Sequence, residues 1–119
     1  MIILILMSLI SFIGVGIHLM YSPLFGWDED LTKLKKDNRL AALTMNNLIT
    51  YFLAFFGVVD LLWAFNVVQI QIILLVGIIG FWIIRAILQI SYYNMSDRLS
   101  QFFLTIYILM TIGHISIIL

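Results

Sequence analysis

Apolar residues fall into four long runs along the chain, separated by short polar stretches. The first run, 2–20, carries no charge and stops at Tyr21-Ser22-Pro23, where the proline disfavours helix at the residue before it. The second covers 40–65, the third 70–90 and the fourth 102–119. A helix needs about 20 predominantly apolar residues, each rising about 1.5 Å, to cross a hydrocarbon layer about 30 Å thick. Each run has that length and lacks the alternation of membrane strands. Backbone groups in hydrocarbon must be satisfied within the segment, so continuous helix is the expected form. The pattern predicts an all-α integral membrane protein, a single domain built as an antiparallel bundle of four transmembrane helices with both termini on the same side. Asn66 to Gln69 reads as a tight turn, and 21–39 as a cytoplasmic amphipathic connection.

Composition agrees. Of 119 residues, 64% are hydrophobic and 10% charged, against about 45–50% and about 25% in soluble domains. The balance of 6 basic and 6 acidic residues leaves no positive excess to neutralise phosphates, so nucleic acid is not an expected partner. There is no cysteine, hence no disulfide, thiolate metal site or thiol nucleophile. No Lys or Arg precedes the first run and no small-residue cleavage site follows it, so it is expected to be a span and not a removed signal peptide.

Basic residues set the expected orientation, because Lys and Arg beside spans stay mostly cytoplasmic. Lys33, Lys35, Lys36 and Arg39 lie in the first connection and Arg98 in the third. Those connections are expected inside, and both termini outside, in the plasma (cell inner) membrane. Within the first connection Trp27 reads as an interfacial anchor. Asp28 is expected to cap a helix with Glu29 and Asp30 in its first turn and Lys33, Lys35 and Lys36 later, the order that the helix dipole favours. Leu31 and Leu34 are then expected to face the lipid boundary.

Helices in lipid pack through small residues and interhelical hydrogen bonds. Ser8, Ser11, Gly14 and His18 share one face of the first span. Asn47, Thr50, Ala54, Gly57 and Ala64 stripe the second, Gly77 and Gly80 mark the third, and Thr111 and His114 the fourth. All are expected to point inward.

Four ionisable side chains fall within spans: His18, Asp60, Arg85 and His114. Each such group costs about 2.5–3.5 kcal/mol on insertion scales, so each needs a partner. Depth decides who meets whom. Asp60 lies about eight residues from the turn and Arg85 about seventeen, an offset of roughly 13 Å that rules against a bridge between them. Arg85 is expected to snorkel toward the basic side, in an inner polar cluster with His18, Asn46, Asn47, Thr50, Gln89 and Tyr92. Asp60 and His114 occupy the outer half and are expected to hydrogen-bond as a clamp or proton-handling pair. Without that partner, Asp60 is expected to be protonated, since burial disfavours the charged form. The two histidines lie about 20 Å apart by helical rise and cannot share a metal. Neither metal nor cofactor is expected, and no nucleophilic triad or phosphate loop is present.

Asn38-Arg39-Leu40-Ala41-Ala42-Leu43-Thr44-Met45-Asn46-Asn47, opening the second span, resembles the corresponding segment of the MAPEG family of glutathione and eicosanoid enzymes, with Arg39 and Asn46 at that family's spacing. The resemblance covers about ten residues. Positions held in the family by Arg, His and Glu are Ala42, Thr44 and Ile49 here, so its glutathione chemistry is not carried over.

Three functions follow as expectations. The leading one is a non-enzymatic accessory, assembly or oligomerising subunit, with the bilayer and a membrane protein or second copy as partners. The alternative is a protein handling a small ligand, ion or proton through its polar clusters. A second alternative is a MAPEG-like enzyme acting on a lipophilic substrate.

Overall fold

The computed structural model describes residues 1–118, and every element in it is helical. Four helices are long and apolar enough to cross a membrane: α1 (Ile2–Leu19), α4 (Lys36–Ala64), α5 (Ile72–Tyr92) and α6 (Arg98–Ser116). Two short helices, α2 (Tyr21–Phe25) and α3 (Trp27–Thr32), fill the first connection.

The bundle is built as two antiparallel pairs. α1 lies along α4 and α5 along α6, and α1 also touches α6. Small residues bring α1 and α4 close. Ser8 Oγ donates to the Gly57 carbonyl at 2.7 Å, and a Cβ on Gly57 would stand 3.1 Å from the Phe12 ring. Gly113 does the same for α1 and α6, its missing Cβ making room for the end of the Met7 side chain. Between α4 and α5 the contact is aromatic instead: the Phe56 and Phe81 rings meet edge-on at 5.1 Å, and Phe81 continues to Trp82 and Tyr107. Bulky rings hold those backbones apart.

Helix boundaries depart from the apolar runs at their polar ends. α4 begins at Lys36 and α6 at Arg98, each about a turn before its run, because polar residues continue a helix where hydropathy has already fallen. Asp97 caps α6, its carboxylate accepting the Ser100 N–H at 3.2 Å. The connection is also reorganised. Pro23 sits in the first turn of α2, where its missing N–H costs nothing. Gly26, at φ 64, takes the left-handed turn into α3. Asp28 is inside α3, with Gly26 as the N-cap, and its carboxylate accepts the Ser22 hydroxyl. The helix ends at Thr32, so Lys35 caps α4 and Lys36 opens it, and neither extends α3. Of the two expected boundary leucines, Leu34 is exposed and Leu31 is buried. Gly77 and Gly80 also depart from expectation, since nothing approaches a Cβ at either.

The start of α1, the end of α6 and the turn after α4 share one end of the bundle, as the meeting of Met7 with Gly113 requires. The lysine-bearing connection and the α5–α6 connection share the other. Most of the lateral surface is Ile, Leu, Phe and Val, with Ile73 78% exposed, a far larger apolar surface than water-soluble monomers expose.

Candidate functional site

The two ends differ in how their polar groups are held. At the turn end, Asp60 on α4 meets His114 on α6. His114 Nε2 stands 3.3 Å from Asp60 Oδ1, and both side chains have no exposure. Geometry fixes the proton inventory. His114 Nδ1 lies 2.7 Å from the Met110 carbonyl, which only accepts, so Nδ1 carries a hydrogen. Nε2 then either accepts from a protonated Asp60 or, itself protonated, donates to the carboxylate. Asp60 Oδ2 has no partner.

At the lysine end the inner polar residues divide into separate groups around a cavity. His18 Nδ1 lies 2.7 Å from Asn46 Oδ1, the Asn46 amide donates to the His18 carbonyl at 3.2 Å, and Thr50 donates to the Asn46 carbonyl. This knot joins α1 to α4. On α5, Arg85 donates through Nη2 to the Tyr107 hydroxyl of α6 at 2.7 Å, and its guanidinium carbon lies 4.9 Å from that ring's centre. It therefore does not reach freely for the interface as the sequence led us to expect. Gln89, one turn further, donates to the Ser100 carbonyl at 3.4 Å. Two members of the expected cluster stand apart: Asn47 is exposed and outside the cavity wall, and Tyr92 is 79% exposed.

A partly open cavity of about 450 Å³ lies between the two helix pairs and beneath α2 and α3. His18, Trp82, Arg85, Gln89 and Tyr107 are in its wall, with aliphatic side chains such as Ile10, Leu53 and Ile106 deeper along it. Its size falls within the range of about 300–1,000 Å³ usual for small-molecule sites. Tyr21 packs on His18 at 4.9 Å and on Trp27 at 5.3 Å, so an aromatic cluster roofs the lysine end. Burial pushes the Tyr21 phenol above its ordinary range; Tyr93 and Tyr107 add to this, and Arg85 opposes it. Trp82 is 2% exposed and its Nε1–H has no acceptor.

Trp82, Tyr107 and Tyr21 were missed by sequence reasoning. A signal existed for two of them: Trp82 and Arg85 are three residues apart on one helix face, and Arg85 and Tyr107 lie about equally far on either side of the third connection. Arg39 and Asn46, which carry the short family resemblance, are both absent from the cavity wall.

The geometry defines a helical protein of membrane-spanning dimensions with a preformed, mainly apolar cavity opening among a few convergent polar groups. No family model, curated protein or solved structure matches the chain.

Proposed function

We propose that this chain is a multi-pass membrane protein that binds a small lipophilic molecule in the cavity between its helix pairs. The observation that carries the reading is the partly open cavity of about 450 Å³ whose wall includes Arg85, His18 and Gln89. A bundle serving only as packing material would gain by filling that space, since unfilled volume forfeits dispersion contacts. Lys33, Lys35, Lys36, Arg39 and Arg98 support a cytoplasmic lysine end and external termini, in a cell inner membrane. An accessory or oligomerising role would use the outer faces. Those carry the aliphatic and aromatic side chains that lipid covers equally well, so no observation favours that role over the cavity.

Tryptophan placement supplies the test. Trp27 and Trp82 are in the cavity wall and Trp63 is not. With Trp27→Phe and Trp63→Phe leaving Trp82 alone, a brominated long-chain alcohol added to protein in bilayer nanodiscs should quench fluorescence saturably. With Trp63 alone, quenching should rise in proportion to the alcohol dissolved in the bilayer. Proportional quenching in both variants would sink the reading.

A further inference from the structure

We infer that the ligand is a single-headed anionic amphiphile, its oxyanion held by Arg85 and its chain lying along the aliphatic wall; this rests on the cavity being a ligand site. Arg85 lies about two turns inside the lysine end of α5, at a depth where a cation is ordinarily paired. Its one hydrogen-bond partner is the neutral Tyr107 hydroxyl, and among the described residues no carboxylate comes within ion-pair distance of it. A guanidinium presents five N–H donors in a planar fork suited to carboxylate or phosphate. Most of that capacity is unused.

Two carboxylates, Asp30 and Asp97, are themselves in the cavity wall, and both are engaged with other groups. Asp30 pairs with Lys33 at 3.0 Å, and Asp97 accepts from the Ser100 amide and hydroxyl at the start of α6. Neither neutralises Arg85. One turn from Arg85, the buried Trp82 leaves its indole N–H without an acceptor in the same cavity wall. Arg85 is thus a cation without its anion in the wall of the cavity, and the group that its unused donors suit is an oxyanion. Away from the lysine end the wall is aliphatic and aromatic, with Ile10, Ile13, Leu53, Phe81 and Ile106, which suits a hydrocarbon chain, while the other polar lining, His18, Gln89 and Ser100 among it, lies at the lysine end with Arg85.

A fatty carboxylate and a lipid phosphate monoester share this chemistry, and the experiment separates them. In the variant with Trp82 as sole tryptophan, dibromostearate, the phosphate monoester of dibromostearyl alcohol and the alcohol itself are titrated into nanodiscs of zwitterionic lipid at alkaline pH. At least one anion should bind about tenfold or more tighter than the alcohol, as expected for a charge-assisted hydrogen bond; whichever anion is tighter names the source. Arg85→Met should erase the preference while leaving the alcohol's binding, and Arg85→Lys, which keeps the charge, should retain part of it. Unchanged melting of the sole-tryptophan and Arg85 variants shows that they are folded; should Arg85→Met not fold, Arg85→Lys and the comparison of ligands on the parent carry the test. Equal saturable binding of alcohol and anions, or a preference that survives Arg85→Met, overturns the anionic assignment and leaves the cavity reading standing. Absence of saturable binding by all three ligands removes both.

Discussion

The turn end and the lysine end of the bundle solve the same problem, ionisable groups among apolar helices, in opposite ways. At the turn end, acid and imidazole are matched one to one at 3.3 Å and are sealed from any surface. At the lysine end, His18 and Asn46 satisfy each other, while Arg85 leans on a phenol and Trp82 on nothing. Packing follows the same division. Ser8, Gly57 and Gly113 draw helices together nearest the matched pair, and the rings of Phe56, Phe81 and Trp82 hold them apart beside the unmatched cation. Completeness at one end makes a closure, and incompleteness at the other makes a place for something else.

The sharpest way to break this contrast is at the boundary. Trp82 stacks with Tyr107, meets Phe81 edge-on and forms part of the cavity wall. Trp82→Ala should cost about 3–5 kcal/mol, read as reduced stability to denaturant in mixed micelles. If the cost were under about 1 kcal/mol, the level of an ordinary surface change, the rings would not be the spacers that keep the cavity open.

Next in size is the closed end. His114→Ala strands Asp60 in a buried site and should cost about 1–3 kcal/mol, again by unfolding in micelles. Asp60→Asn should cost distinctly less, because the amide N–H can donate to a neutral Nε2 while Nδ1 keeps its bond to Met110. Equal losses from the two substitutions would mean that the pair is held by charge and not by one shared proton.

The same exchange at the open end should be milder. Asn46→Ala removes the His18 contact in a half-buried setting, and intramembrane polar contacts average about 0.6 kcal/mol. A loss as large as that of His114→Ala would erase the distinction between the ends. Its measurement belongs beside ligand quenching, which should persist because Asn46 is not in the cavity wall.

What could be read from the chain, and what could not, follows from helix geometry. Counting residues from the turns gives depth, and depth put Asp60 level with His114, which stand 3.3 Å apart in the fold, and away from Arg85. Run lengths gave four helices, but hydropathy ended them too soon at Lys36 and Arg98, where polar residues still belong to the helix. Depth says nothing about rotation around the axis. Asn46 and Asn47 are adjacent and nearly level, and only Asn46 turns toward His18. Nor does an apolar run reveal which of its aromatics carries a polar atom without a partner. The Trp82 indole reads as bulk until its neighbours are known, and Tyr107 passes for one more ring among Phe102 and Phe103.

Asn47 therefore gives the smallest expected effect and the most discriminating one between rotation and depth. Read by depth it belongs with His18 and Thr50; in the fold it is exposed and lies outside the cavity wall. Asn47→Leu should shift stability by no more than about 0.5 kcal/mol in either direction, as at surface positions without partners, and should leave ligand quenching at Trp82 unchanged. Asn46→Leu, one residue earlier, removes the bonds to His18 and should cost more than its neighbour by about the value of one interhelical polar contact. If the two substitutions proved equal, or Asn47→Leu proved the more damaging, α4 would be rotated about its axis from the position described. The part of the cavity wall that α4 contributes, Ile49 and Leu53, would then have to be redrawn.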